Sequence, residues 1–543
     1  MSEADLQSGS SVADESASSE TEFGPSQLPG TAPDDRRRRV ALLCSVFVVA
    51  ACGLVYELVA ASVSSYLLGD AVTQFSLVIG VFLSAMGLGA YLAQYVKKQV
   101  LRRFVEIEIW IGLIGGLSSL MMFAVNAFAP WFFQPFFYAC CITLGAMVGV
   151  EIPLLVRLIK EGRTLTSAVS QTLALDYTGA LVGSLCFPLL VLPLLGLSRA
   201  SVVFGLLNLA TAAVGVSLLS AGRRSLQIML TFSVIVLLGA LAASQPLVGF
   251  FERQLYDDEI IYAETTPYQR AVVTRFRDDV RLYLNGHVQF SSVDEARYHE
   301  SLVIPAMRRA GAPQSVLILG GGDGMAAREA LKYDSVETLT LVDLDPAITD
   351  LGLERPEIVA LNQRSLHDER VTIHNEDAMR FLEDTDDSWD VILIDLPDPN
   401  TDSMSKLYST AFYRLALRRL SAHGVLSTQA TSPFFAKDAF WCIVRTMEEA
   451  GSPSVEGLPG IQVTPYHAHV PSFGEWGFVL AARGSRGPTD DEPMRVETRY
   501  LTPEVIESLF VFGRDLARPE ESPINRLEDP VLYTLYRRGW QHY

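Results

Sequence analysis

Four acidic residues, each at the end of a short apolar run, carry most of the chemical signal in this sequence. Leu317-Ile318-Leu319 runs straight into Gly320-Gly321-Gly322-Asp323-Gly324. Consecutive glycines at a strand end let the backbone turn tightly and approach a bound molecule closely. Asp343 lies 20 residues after Asp323, at the end of the next apolar run, where a carboxylate can accept both hydroxyls of a ribose. Asp377, followed by Ala378, ends a third run and is placed to meet an adenine amino group. A fourth run ends Ile394-Asp395-Leu396-Pro397-Asp398-Pro399, with two carboxylates in quick succession. Any one of these acids alone reads as a turn or helix-cap residue, and a glycine loop alone is common in α/β proteins. Acids at three successive strand ends point to a bound nucleoside.

Such a site needs strands that all end at one edge. Short apolar strands at 316–319, 338–342, 371–373 and 391–394 alternate with helical segments at 325–332, 346–353 and 378–382. That alternation predicts a mostly parallel sheet with helices on both faces. Upstream, 271–276 and 281–284 alternate in the strand period, and Asn285-Gly286 is a strong hairpin signal. The expected organisation is a β-rich segment at 251–300 and an α/β domain with a C-terminal extension at 301–543.

The rest of the chain differs in kind. With 543 residues the chain is too long for one core. Its hydrophobic content of 49% and mean hydropathy of +0.25 come mainly from residues 40–250. Runs near 40–67, 74–96, 105–128, 131–158, 167–196, 198–220 and 226–249 are long enough to cross a bilayer, so this half is expected to be an all-α multi-pass membrane bundle of about seven spans. Residues 1–39 are rich in Ser, Glu, Asp, Pro and Gly and are expected to be disordered, with no signal-peptide pattern. Arg36–Arg39, Lys97, Lys98, Arg102, Arg103, Arg157, Lys160 and Arg163 mark one side, which the positive-inside rule assigns to the cytoplasm. Seven crossings would leave residue 251 on the other side. A cytoplasmic catalytic half is nevertheless expected, with 167–196, which holds Asp176, Pro188 and Pro193, read as a broken or re-entrant pair. The formal charge of −19 argues against nucleic acid as a partner; it suits a cationic small molecule, or simple solubility. The six cysteines show neither zinc-site nor disulfide spacing.

Several blocks between 260 and 485 resemble the spermidine synthase family: Thr266-Pro267-Tyr268-Gln269, Leu282–Gly286, Gln289-Phe290, Asp294-Glu295 with Tyr298-His299-Glu300, Gly320–Gly324, the Asp395-x-x-Asp398-Pro399 motif, and Leu407-Tyr408 with Phe412-Tyr413. With an apolar half in front, the chain looks like the membrane-attached bacterial members. The resemblance implies a Rossmann-like, methyltransferase-type domain preceded by a small β-hairpin region. It also implies an aminopropyltransferase that takes decarboxylated S-adenosylmethionine as co-substrate and a diamine such as putrescine as acceptor, without metal or other cofactor, in a homodimer at the cell membrane. By resemblance Asp323 holds the donor's ammonium, Asp343 its ribose and Asp377 its adenine, with Gly320, Gly322 and Ala378 in the same pocket. Gln269 and His299 line the donor pocket, Asp395 is the general base, and Tyr298 and Asp398 hold the acceptor amine. The chain departs from the family pattern at Met325, where a further glycine is common, at Asp343, where Glu is more usual, and at Leu396-Pro397, which replace a small polar pair. The aromatic residue expected ahead of the last glycine-containing strand has no evident counterpart, and Val470–Gly474 occupies that region.

Two other functions fit parts of the pattern. One is a polyamine transporter or sensor with a non-catalytic nucleotide-binding domain; the other is an S-adenosylmethionine-dependent methyltransferase. Glu57, Glu151 and Asp176 fall inside the expected spans, where charge is expensive and often functional. They are expected either to pair with a polyamine or a proton, or to face interfacial water or Tyr and Ser partners.

Overall fold

Apolar runs with basic residues at their ends become long helices in the computed structural model, which describes residues 33–541 apart from 69–70, 161–163, 220, 222, 257, 453–459, 484–493 and 495. Of the tail expected to be disordered, residues 1–32 lie outside the described part, and 33–39 already belong to the first helix. The helices are α1 (Pro33–Leu68), α2 (Ala71–Leu92), α3 (Val100–Phe128), α4 (Pro130–Ile159), α5 (Leu165–Cys186), α6 (Leu192–Leu218) and α7 (Arg223–Leu255).

Among the described residues six stretches are long and apolar enough to cross a membrane, and one of them, Leu165–Leu218, has 54 residues. Straight, it would extend ~80 Å at about 1.5 Å per residue, far beyond a hydrocarbon core of about 30 Å. It is not straight. A π-helical turn at Phe187–Val191 leads into a break at Gly196 (φ 69, ψ 175), a conformation that suits glycine. Packing gives the directions on either side. Tyr56 meets Gly115 and Tyr66 meets Phe123, so α1 and α3 run parallel. Phe47 meets Gly179 and Ala51 meets Gly183, so α5 runs with them. Ser119 and Ser118 approach Ser198 and Ser201 at 3.3 Å, while Val105 meets Gly215, so α6 runs the opposite way. The chain therefore reverses at Gly196: the run expected as a re-entrant pair keeps one direction up to this break, and α6 runs back the other way. Small residues permit the closeness: a Cβ on Gly205 would stand 2.5 Å from the Gly112 carbonyl oxygen.

The α3 and α7 ends meet where Phe128 packs on Phe250 and Phe251. The C-terminal half continues from this end, opposite the one carrying Arg102, Arg103 and Arg157. The N-terminal end of α1 and the start of the C-terminal half therefore lie at opposite ends of the helical bundle.

The C-terminal half opens with an antiparallel meander of β1 (Glu259–Thr265), β2 (Arg270–Phe276), β3 (Asp279–Leu284) and β4 (His287–Ser291). Asn285 and Gly286 both have positive φ (52° and 83°), as a two-residue hairpin turn of their type requires. Helix α8 (Glu295–Ala310) then packs beneath the main sheet. The alternating elements that follow are β5 (Ser315–Gly320), α9 (Met325–Leu331), β6 (Thr338–Asp343), α10 (Pro346–Glu354), α11 (Pro356–Leu361), β7 (Val371–Asn375), α12 (Ala378–Asp384), β8 (Trp389–Asp395), α13 (Asp402–Ser405), α14 (Thr410–Arg418), β9 (Leu420–Gln429) and α15 (Lys437–Ala450). The hairpin of β10 (Ile461–Val470) and β11 (Gly474–Arg483) and the helices α16 (Pro503–Leu509) and α17 (Leu532–Trp540) complete the chain.

The seven-stranded sheet has the order β10-β11-β9-β8-β5-β6-β7. Strands β5 to β9 pair in parallel, and β10 and β11 add antiparallel. Strand β5 pairs with β6 on one side and β8 on the other. Order reverses there, and in open α/β sheets such a switch point opens a crevice beyond the strand ends.

With the helical half in a bilayer, these helix directions predict that tags on the N- and C-termini report opposite faces of sealed vesicles. Protease should remove one tag and spare the other; loss of both from intact vesicles would contradict these helix directions.

Candidate active site

The crevice at the switch point gathers the acids that end the strands. At the end of β5, Gly320 (φ 85) and Gly321 (φ 64) carry the backbone past β8. A Cβ on Gly320 would lie 2.1 Å from the Asp395 carbonyl oxygen, so glycine is required by both space and conformation. The Gly322 N–H donates to Asp343 Oδ2 at 3.0 Å, and the Asp345 N–H donates to Asp343 Oδ1 at 2.9 Å. Desolvation pushes the Asp343 carboxyl up to about 6; those two N–H groups oppose the shift, and the Asp345 and Asp323 charges add to it. Asp323 is buried and accepts from the Met325 N–H at 2.9 Å.

Asp377 is the N-cap of α12, accepting from the Met379 and Arg380 N–H groups at 2.9 and 3.1 Å, and it also takes the Lys406 ammonium at 2.9 Å. Burial works against its charge, but Lys406 and the cap N–H groups hold it below the usual carboxylate range. The helix-cap alternative thus describes its hydrogen bonds, while the residue still lines the crevice.

A cavity of about 380 Å³ is lined by Gln269, Tyr298, His299, Gly320, Gly322, Asp323, Asp343, Asp377, Ala378 and Asp395. Of the residues singled out from sequence, Asp398 alone lies outside it. Asp398 lines an adjoining cleft of about 1260 Å³, which shares Tyr298, Leu396 and Pro397 with the first cavity. Gln269 reaches the cavity from the meander and donates to Asp345 Oδ2 at 3.1 Å, beside Thr266 at 2.7 Å. Buried Asp345 therefore clamps the meander onto the start of α10.

Tyr298 donates to Asp395 Oδ1 at 2.8 Å. Next to it, buried His299 donates from Nδ1 to Glu295 Oε2 at 3.0 Å and to the Glu295 carbonyl at 2.9 Å. Glu295 in turn accepts from Arg328 at 2.8 Å and from Arg499 at 2.8 Å. Desolvation works against an imidazolium, yet Glu295, with Asp323 and Asp395, holds His299 up to about 9. A positive ring at the wall tempers the repulsion between Asp323 and Asp395. Desolvation pushes Asp395 up to about 6, with His299 and Tyr298 pulling down and Asp323 pushing up. Asp398 is pushed further, to about 7, by desolvation, with Tyr536, Gln429 and Thr431 pulling it partway back. Thr431 donates to its Oδ2 at 3.3 Å, while Oδ1 is buried without a hydrogen-bond partner. The Leu396-Pro397 pair between the two acids is fixed through its backbone: Gln429 donates to the Leu396 carbonyl at 2.8 Å and Tyr408 to the Pro397 carbonyl at 2.9 Å.

Sequence reasoning did not single out Lys406, Asp345, Arg328, Trp476, Tyr536 or Trp540, and it gave Glu295 no role. The i, i+4 spacing of Glu295 and His299 was a usable signal. None pointed to α17, which brings Tyr536 and Trp540 into the larger cleft from the end of the chain. The segment that lacked an obvious aromatic supplies Phe473, packed on Tyr298 and Trp476. Ser65–Leu68, at the end of α1, close another part of that cleft.

Gly322→Ala would put a methyl group 2.7 Å from Asp343 Oδ2 and displace that carboxylate. Affinity for an adenosine thioether, read by calorimetry, should fall at least about tenfold, roughly 1.4 kcal/mol, with the fold retained. Unchanged affinity would separate Asp343 from nucleoside binding.

The arrangement has relatives. Residues 295–486 match the spermine/spermidine synthase domain model. The chain is 44% identical to the polyamine aminopropyltransferase of Leptospira interrogans over 92% of its own length and 99% of that protein. It is 43% identical to polyamine aminopropyltransferase 1 of Ralstonia nicotianae over 95% of its own length and 98% of that protein. These spans are too long to leave out the helical half. The crystal structure of spermidine synthase from Thermotoga maritima aligns with 48% of this chain and 87% of that one, at 26% identity and a TM-score of 0.43. Sequence identity above 40% over more than nine-tenths of this chain and of those two relatives makes the chain a member of the polyamine aminopropyltransferase family.

Proposed function

We propose that the enzyme transfers the aminopropyl group of decarboxylated S-adenosylmethionine to putrescine, giving spermidine and methylthioadenosine. The observation that carries this reading is the pair Asp395 and Asp398, which face two adjoining cavities across Tyr298, with an acceptor atom on Asp398 that no protein donor satisfies. An alkylammonium is the group such an atom lacks.

In this reading Asp343 holds the ribose of the donor, Asp377 lies by the adenine, and Asp323 meets the aminopropyl ammonium. Gln269 and His299 shape the same pocket. The acceptor's distal ammonium sits at Asp398, and its reacting nitrogen lies between Tyr298 and Asp395. An amine with a pKa near ~10.4 is protonated at neutral pH, and freeing its lone pair costs about 4–5 kcal/mol at ~1.36 kcal/mol per unit. Asp395, pushed up to about 6, accepts that proton as the nitrogen closes on carbon. The C–N bond forms as the C–S bond breaks, the electron pair passes to sulfur, and the sulfonium becomes a neutral thioether. Donor and acceptor are both cations and repel each other until carboxylates stand between them. Held in line, they also lose less entropy at the transition state.

The acidic wall disfavours ordinary S-adenosylmethionine, whose carboxylate would meet like charge, and this sets methyl transfer behind aminopropyl transfer. The helical half is proposed to span a lipid bilayer, consistent with its six long apolar stretches.

Asp395→Asn should lower kcat by at least about a hundredfold with little change in donor affinity. Asp398→Asn should instead raise KM for the diamine. Near-normal kcat in the first variant would remove Asp395 as the base. A product assay across diamines of different length and both donors decides the substrate pair, and methyl transfer without aminopropyl transfer would overturn the reading.

The pH dependence has a definite sign. Asp395 and Asp398, at about 6 and about 7, become neutral as pH falls through that range, so kcat/KM for the diamine should drop there. Their folded values exceed the ordinary ~3.9 of an aspartate, so the fold loses stability as pH rises from about 3.9 to those values. A bound diamine should therefore raise Tm more at about pH 8 than at about pH 5.5. An equal or reversed shift would contradict these assignments.

A further inference from the structure

The helical half holds a polar cluster that aminopropyl transfer does not use. Glu108 on α3 and Glu151 on α4 are both 0% exposed and stand within hydrogen-bonding reach of each other. All four of their carboxylate oxygens lack a protein donor. Tyr56 on α1 and Asn208 on α6, each 1% exposed, add one unpartnered oxygen apiece. Tyr56 is an electrostatic neighbour of both carboxylates, as is buried Cys52 one turn before it. Asn208 lies in the stretch of α6 between Gly205 and Leu209 that covers Gly112, one turn beyond Glu108.

Two touching carboxylates in an apolar bundle cannot both stay ionised without a countercharge. Among the described residues no Lys, Arg or His pairs with either one. A cation must therefore be bound. Helix packing restricts its size: a Cβ on Gly112 would already lie 2.8 Å from the Gly205 carbonyl oxygen, and one on Gly115 would lie 2.7 Å from the Tyr56 ring. Helices packed this closely beside the pair suit a proton rather than a polyamine.

We propose that Glu108 and Glu151 form an exchangeable proton-binding site, with Tyr56 and Asn208 as its polar lining, which makes the helical half a proton-handling module. Facing titratable groups are Cys52 and Tyr56 from α1 and Asp176 from α5. Tyr91 of α2 and Arg223 and Arg224 of α7 are exposed. Sequence reasoning singles out Glu151 but passes over Glu108, whose partner on another helix is invisible along the chain.

Infrared difference spectroscopy on the full-length protein in lipid vesicles tests the site. Between acidic and alkaline pH a carboxylic-acid C=O band should vanish; it should shift or weaken in Glu108→Gln and in Glu151→Gln, and it should be missing at every pH when both are replaced. Aminopropyl transfer by both variants should stay within about twofold of the parent enzyme. Should the variants misfold, dicyclohexylcarbodiimide, which modifies protonated carboxyls in apolar surroundings, should label Glu108 or Glu151 of the unaltered protein, less so as pH rises. A band that ignores pH, one that sodium ions displace instead, or the absence of both band and label from the unaltered protein would overturn the proposal.

Discussion

Carboxylates withdrawn from water without enough positive charge around them are the constraint on which this molecule is built. Asp343, Asp395 and Asp398 are all pushed upward by desolvation, and each sits where a parallel strand or its following loop opens onto the crevice. Such a site is unfavourable when empty and becomes favourable when cations enter. Binding energy and specificity then have one origin, because a ligand with an added carboxylate gains none of the relief.

The remaining architecture keeps the deficit from becoming ruinous. His299 is held as a cation by Glu295, which is itself balanced by Arg328 and Arg499. Asp377 is settled by Lys406. Asp345 commits its acceptor capacity to Thr266, Gln269 and the Ala347 N–H of α10, binding the meander to the sheet. Of the acids around the two cavities, Asp398 keeps a buried carboxylate oxygen without a hydrogen-bond partner. The larger cleft is closed by aromatic side chains of the C-terminal helix and by the end of α1, so both halves of the chain meet where the acceptor is proposed to lie.

The fold was legible where local chemistry dictates it. Gly320–Gly324 announced the turn after β5 because nothing but glycine tolerates positive φ so close to the β8 backbone. Asn285-Gly286 announced its hairpin for a similar reason. The strand-end acids were legible because a parallel sheet delivers every strand end to one edge. What escaped was long-range: Tyr536 and Trp540 reach the cleft by tertiary docking of α17, and Lys406 reaches Asp377 across a loop. The length of the apolar runs located the helices of the apolar half but not their directions, which are fixed by contacts such as Gly205 with Gly112 and by the reversal at Gly196. The same blindness hid the Glu108–Glu151 pair.

Calorimetry of diamine binding, in two buffers of different ionisation enthalpy near about pH 6.5, tests the central claim most directly. At that pH the site carboxyls are partly protonated and the free diamine is fully protonated. Neutralisation of the acids by an incoming dication predicts net proton release, with most of it gone in Asp398→Asn. Binding with no proton exchange, or with uptake, would contradict the account.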